Sequence, residues 1–202
     1  MPSILIIGNY KHSSGGISTQ IDILKKHLLE DGFNVKIFSC KKNYLLRPLL
    51  LLPLIFIIKR YSIIHVHGCS WVGGFWPIIT GAIAAKIFRK KLIVTYHGGQ
   101  AGLYFSKYKY PKYFLGLADR ITVPSTFLKK SFSDIYGLMP EVIPNIYRAH
   151  KRKFKYRNSI KPIVITTRTL REVYNIPCAI RAFKIVHDRY LNAKMFILGD
   201  GP

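Results

Sequence analysis

Short aliphatic runs alternate with segments of helical periodicity along almost the whole chain, and this alternation restricts the fold more than any other feature. Ser3 to Ile7 is a continuous aliphatic run ending at Gly8, the pattern of a parallel strand buried on both faces. After a polar loop, Asn9 to Gly16, residues Ile17, Ile21, Leu24 and Leu28 recur at helical spacing and Gly32 closes the helix. Further strands are expected over Val35 to Phe38, Ile63 to His67, Leu92 to Tyr96, Ile121 to Val123 and Val142–Ile143. A helix rich in Ile and Ala runs from Phe75 to Phe88, and another follows the cap residue Ser125 to about Tyr136. Helices interposed between strands imply parallel pairing with right-handed crossovers. The expected fold is α/β, a doubly wound parallel sheet of the Rossmann-like kind.

The pattern lapses once. From Asn145 to Lys161 the chain is Arg, Lys, Tyr and Asn with almost no apolar periodicity. It then restarts with a strand, Ile163 to Thr167, a helical face formed by Ala179, Ile180, Phe183 and Val186, and a strand from Lys194 to Leu198. We therefore read a complete domain over 1–145, a basic linker over 146–161, and over 162–202 the first βαβ unit of a second domain. The chain stops at Gly199-Asp200-Gly201-Pro202, where a following helix is expected, so an incomplete chain is the expectation.

With 49% hydrophobic and 20% charged residues the chain can bury a core, and disorder is not expected. Its net charge of +23 is regional: no acidic residue occurs between Asp31 and Asp119, nor between Glu141 and Glu172. A single-signed field of this kind attracts polyanions, whether nucleic acid, an anionic membrane surface or phosphorylated small molecules. Cys40, Cys69 and Cys178 share no disulfide or metal-ligand spacing, and read as reduced, partly buried thiols of a cytosolic protein. The N-terminus lacks the basic region and cleavage site of a signal peptide. The aliphatic run Leu45 to Ile58 is interrupted by Arg47, Pro48 and Pro53 and falls short of the roughly 20 residues that span a bilayer. It is expected as a core helix, with an interfacial position between Lys41, Lys42, Lys59 and Arg60 as the alternative.

Several residues sit where chemistry is done in such folds. Gly15-Gly16 lies between the first strand and the first helix, where small residues let backbone N–H groups approach an anion at a helix N-terminus. An ordinary βα turn would look the same. His97-Gly98-Gly99 follows the fourth strand, which places the imidazole at the carboxyl edge of the sheet, where it can hydrogen-bond a sugar hydroxyl or support developing charge. A satisfied histidine at a strand end is the bland reading. His65 and His67 share one strand face, but the acids a metal site usually supplies are missing, so no metal is expected. Arg168, with Arg171, Glu172 and Tyr174 close behind, opens the second unit. A guanidinium there can clamp a diphosphate, against the alternative of a solvated basic loop. Gly199 and Gly201 form a glycine turn behind the last strand. No paired carboxylates, Ser-His-Asp order, Cys-His arrangement or Asp-x-Asp occurs.

These segments, taken in order, resemble the GT-B retaining glycosyltransferases of family 4. Gly15-Gly16 is similar to the family's N-terminal glycine loop, Ile63-Ile64-His65-Val66-His67-Gly68 to its third strand, and Thr95-Tyr96-His97-Gly98-Gly99 to its histidine motif. Ala118 to Ser125 and Val142-Ile143-Pro144-Asn145 resemble the segments closing the N-terminal domain. Thr167-Arg168-Thr169-Leu170 and Gly199-Asp200-Gly201-Pro202 resemble the opening and the glycine loop of the C-terminal domain. The resemblance implies transfer of a glycosyl group from a nucleotide-diphosphate sugar, with retention, without metal or other cofactor. By it Gly15 and Gly16 face the donor phosphates and the acceptor, and Gly98 and Gly99 belong to the same substrate-binding set. His97 hydrogen-bonds the transferred sugar, and Arg168 stabilises the departing diphosphate, with Arg171, Tyr174, Gly199 and Gly201 nearby. The family's usual lysine six residues after the arginine is Tyr174 here, and its acidic donor-binding motif would fall beyond Pro202, so weak or absent activity of this chain is expected. The implied partners are a nucleotide-sugar donor, a glycan or lipid-linked acceptor, and an anionic membrane at whose cytoplasmic face the protein is peripheral. The rival is a non-catalytic basic module. Its nucleic-acid form would need Tyr104, Tyr108, Tyr110 and Tyr113, set among Lys107, Lys109 and Lys112, on an exposed groove.

Overall fold

The N-terminal aliphatic run forms β1 (Ser3–Gly8), in which every residue after Ser3 is buried. In the computed structural model, residues 2–12, 15–40, 51–146, 156, 158–159 and 161–201 are described, those at 51 and 52 by backbone alone. The chain divides into two units, Met1–Arg148 and Ala149–Pro202.

In the first unit β1 lies between β2 (Asn34–Ser39) and β3 (Ile63–Gly68), and the sheet continues through β4 (Lys91–Tyr96), β5 (Arg120–Val123) and β6 (Glu141–Val142). The order is β2-β1-β3-β4-β5-β6 and every pair is parallel, as the alternation of elements requires. One face carries α1 (Gly15–Glu30), whose Ile21 packs with Ile4 and Ile6 of β1 and Val35 of β2. The other carries α2 (Leu51–Ile58), α3 (Trp71–Ile87), α4 (Ala101–Lys107), α5 (Tyr110–Gly116) and α6 (Thr126–Tyr136). Their side chains close over Leu5, Ile7, Ile64, Val66, Val94 and Tyr96 in the larger core.

The local signals act as expected at α6, where Ser125 Oγ accepts the Leu128 N–H and Gly137 terminates the helix in the left-handed conformation at φ 68°. Three readings need correction. Gly15 and Gly16 are the first residues of α1 and not part of the preceding loop. The helix expected from Phe75 starts at Trp71, directly after the extended Ser70. The tyrosine-rich stretch is two short helices facing inward: Tyr104 is fully buried, Tyr108 and Tyr110 pack against the core, and of the four only Tyr113 is exposed. These four tyrosines therefore form no stacking platform for bases.

Of the run from Leu45 to Ile58, residues 45–50 lie outside the described residues. The remainder, α2, buries Leu54 and Ile58 while Phe56 stands 78% exposed. Among the described residues no helix is long and apolar enough to cross a membrane. None of the three cysteines is disulfide-bonded; Cys40 is buried, Cys69 intermediate and Cys178 exposed.

The second unit is one βαβ turn, with β7 (Ile163–Thr167) parallel to β8 (Lys194–Leu198) and α7 (Ile176–Arg189) between them. A 3-10 turn, Glu172–Tyr174, precedes α7.

Candidate functional site

Strand order reverses between β1 and β3, because the chain passes from β2 back across β1. Open α/β sheets bind ligands in the crevice outside the carboxyl ends of strands at such a point. In the first unit that crevice is bordered by Asn9 after β1, His67 at the end of β3, His97 after β4, and the N-terminus of α1. Gly15 has φ 79°, and neither it nor Gly16 would meet anything within 4 Å if it carried a Cβ. Packing therefore does not demand glycine at these two positions, and the first-turn N–H groups of a helix lack partners within it, which suits them to an anion.

Alternation along the strands places His65 and His67 of β3 on the α1 face, and the register sets His65 beside Ile93, and His67 beside Thr95. Two hydrogen-bonded sets result. His65 Nε2 lies 2.8 Å from Thr95 Oγ1, which lies 2.7 Å from Thr122 Oγ1 on β5. His67 Nδ1 lies 3.0 Å from His97 Nε2. The His67 and His97 rings are inclined by 15° with centroids 5.2 Å apart. That separation suits two nearly coplanar rings joined tip to tip, each adding its own radius to the nitrogen–nitrogen distance. The His97 N–H donates to Gly68 O at 2.8 Å, which fixes the ring's backbone. Burial pushes His65 and His97 down to about 4, and His67 well below its ordinary value, with the neighbouring rings adding to the effect at His65 and His67. All three are neutral at pH 7, each with one N–H and one lone pair. His67 is 3% exposed, and its Nε2 has no partner among the described residues.

Gly98 is required by close approach: a Cβ there would stand 2.6 Å from Ser70 Oγ and 2.7 Å from the Ser70 nitrogen. Ser70 Oγ in turn lies 2.8 Å from Tyr96 OH. Gly99 is open to solvent. Beyond them Trp71 adopts φ 67°, a strained conformation for a bulky residue, and its Nε1 donates to Gln100 Oε1 at 2.5 Å.

Below His97 a cavity of about 320 Å³ runs along β4 to β6, at the small end of ligand pockets. It is lined by the histidines, Thr95, Thr122, Ile93 and Ile143, and ends at Arg120 and Glu141, whose side chains are 3.8 Å apart. Gln20 of α1 closes one wall: its Nε2 donates to Ile146 O at 2.9 Å and its Oε1 accepts the Ile146 N–H at 2.8 Å. Among the described residues no three His, Cys, Asp or Glu converge on a metal position.

In the second unit the sequence-derived set also comes together, at the carboxyl ends of β7 and β8. Arg168 is exposed, with its guanidinium 5.3 Å from the centre of the Tyr174 ring. A Cβ at Gly199 would overlap Arg168 O, one at Gly201 would stand 2.7 Å from Leu170 O, and the Leu170 N–H donates to Asp200 O at 2.7 Å. Arg171 borders an open concavity with Thr169, Glu172 and Asp200. Sequence reasoning missed the role of His67 as the partner of His97, the Gln20 clamp, Trp71, and Asn9, whose Nδ2 donates to Gly73 O at 2.6 Å. The parity of β3 and β4 was the available signal for the first; the others depend on contacts between distant segments.

The family model described as Glycosyltransferase Family 4 matches residues 14–149. Among solved structures, HepE of Anabaena in complex with UDP superposes with a TM-score of 0.66 at 16% identity, over 100% of this chain and 62% of that one. The same protein with UDP and glucose gives 0.54 at 14% identity, over 98% of this chain and 70% of that one. An alpha-glucosyltransferase in complex with UDP and a 13-mer DNA containing a central A:G mismatch gives 0.63 at 11%, over 99% and 56%. The chain thus spans less than two thirds of the length of the first and third of these chains, and at such identities the likeness is one of fold. No curated protein matches.

Proposed function

The chain belongs to glycosyltransferase family 4, with a GT-B-type α/β fold, and on that premise we propose that it moves a sugar from a nucleoside-diphosphate sugar to a glycan or lipid-linked acceptor. Transfer proceeds with retention at the anomeric carbon and without a bound metal ion. The observation that carries this reading is His97: a neutral imidazole at the switch-point crevice, its Nε2 occupied by His67, with Nδ1 left for a ligand. A neutral ring can hydrogen-bond a sugar hydroxyl without adding a buried charge.

In this mechanism the α1 N-terminus, entered through Gly15 and Gly16, offers N–H groups to phosphate oxygens as negative charge develops on the leaving diphosphate. His97 orients the transferred sugar, with the open Gly99 allowing its close approach and Gly98 seating the loop against Ser70. Taken by itself, the second unit offers positive charge to a phosphorylated ligand through Arg168 and Arg171. Tyr174, in place of a second cation, holds the Arg168 guanidinium against its ring face and so reduces the ordering required on binding. The basic surface suits a peripheral position at the cytoplasmic face of a membrane.

The test is transfer of labelled glucose from UDP-glucose, and of labelled sugars from other nucleotide donors, to membrane extracts and polysaccharide. An α-linked product from an α-linked donor, formed in the presence of EDTA and lost on His97→Ala, is the expected outcome. A β-linked product refutes retention, and inhibition by EDTA refutes metal independence. Absence of both transfer and nucleotide-sugar binding, with every donor, refutes the reading; binding with weak or no turnover is the outcome already expected for this chain. The alternative, a non-catalytic basic module, is favoured by the acid-free stretch between Asp31 and Asp119, and predicts salt-sensitive polyanion binding with no turnover.

A further inference from the structure

We propose that the amino edge of the first sheet is a docking surface for an anionic lipid membrane, and that it holds the catalytic crevice away from that membrane. The chain enters β3 from the end of α2 and enters β4 from the end of α3, so both helix C-termini lie at the edge opposite the crevice. Two large apolar side chains stand in solvent there, Phe56 at 78% and Ile87 at 64% exposure. Around them are Lys59, Arg60, Lys86, Arg89 and Lys90.

The two helix ends form one patch. Lys90 Nζ donates to Lys59 O at 3.2 Å, and Lys59 Nζ lies 5.9 Å from the centre of the Phe88 ring. None of the five cations has an ion-pair partner among the described residues; of the acids at the same edge, Glu30 lies 3.6 Å from Lys26 Nζ and 3.2 Å from His27 Nδ1, and Asp119 is engaged by Lys91 Nζ and the Leu92 N–H, both at 2.8 Å. Exposed aromatic and aliphatic residues ringed by unpaired cations match the interface of an anionic bilayer, where apolar groups enter the acyl boundary and cations stay with the headgroups. A nucleic-acid backbone would use the cations and gain nothing from burying Ile87.

The orientation bears on the acceptor. Strands of six residues, at about 3.3 Å each, put the crevice about 20 Å from the docked edge. The acceptor is then the far end of an extended glycan and not a sugar next to its lipid. This last step rests on the transferase reading; the docking does not.

The test uses the full chain and vesicles of phosphatidylcholine with and without phosphatidylglycerol, the acyl chains brominated to quench tryptophan. Native Trp71 and Trp76 lie at the opposite, crevice end of α3. Sedimentation with anionic vesicles but not neutral ones, with native emission unquenched and Ile87→Trp emission quenched, is expected. Replacing Arg60 and Arg89 by Ala should weaken partitioning about 25-fold, about fivefold for each charge, and Phe56→Ser should weaken it with no change in charge. Quenching of the native tryptophans overturns the orientation. Equal binding to neutral vesicles, no vesicle binding, or tighter binding to duplex DNA than to anionic vesicles at the same salt overturns the docking. Vesicle binding with neither sugar transfer nor nucleotide-sugar binding refutes the enzyme reading and leaves the surface intact.

Discussion

Acidification should unfold the first unit through its histidines, in a window set by their burial. His65 and His97 are held at about 4 against an ordinary 6.5, so between those values the unfolded chain binds protons that the folded unit refuses. Stability is full above pH 6.5 and falls as the pH drops, until the folded rings themselves protonate near pH 4. Each ring contributes a slope of up to about 1.4 kcal/mol per pH unit and half of that at pH 6.5, so lowering the pH from 6.5 to 5 costs about 1.6 kcal/mol for each and about 3 kcal/mol for the two. His67 adds in the same direction. Against a typical domain stability of about 5–15 kcal/mol that is a large fraction. Asp119, held low by Lys91 and the Leu92 N–H, loses its contribution only below its ordinary 3.8, outside this window. The assay is urea unfolding between pH 7.5 and 5, read by Trp71 and Trp76, both in the first unit. A dependence below one proton, about 1.4 kcal/mol per pH unit near pH 5.5, would refute the burial argument. So would an unchanged slope in a variant carrying His65→Gln and His97→Asn.

Gly98→Ala should destabilise the first unit by about 1–3 kcal/mol, because the new methyl meets the Ser70 backbone nitrogen, which cannot turn aside; thermal melts of the variant decide this. Ser125→Ala removes the cap on α6 and should cost about 1 kcal/mol in the same measurement. His67→Leu deprives His97 Nε2 of its partner. It should lower kcat at unchanged affinity for the nucleotide, with the His97 ring nitrogens changing their NMR shifts; unchanged shifts would remove His67 from the site.

β1 was legible because a parallel strand buried on both faces needs an unbroken aliphatic run, which Ile4 to Ile7 supply; β3 and β4 were legible from short apolar runs broken by His or Thr, and β7 and β8 from apolar runs whose side chains are mostly exposed. α4 and α5 were not legible. Their seven-residue lengths give too few turns for periodicity to show, and their lysines disguise tyrosines that tertiary contacts draw inward. Gly15, Gly16 and His97 stood out because strand–turn–helix punctuation marks the carboxyl edge from sequence alone. His67 required knowing that β3 and β4 are neighbours in a particular register, and the Gln20 contact with Ile146 spans 126 residues, beyond any local pattern.

That contact has a bearing on solubility. β6 is the outermost strand on its side of the sheet and only two residues long, and an outer strand with unused backbone groups invites another chain to pair with it. Pro140 and Pro144 flank β6 and have no N–H to offer, Glu141 places a charge on it, and Gln20 occupies both backbone groups of Ile146 as a neighbouring strand would. Shortness, flanking prolines and charge make this border a poor template for growth, and just past it a glutamine borrowed from a helix holds the chain as a neighbouring strand would.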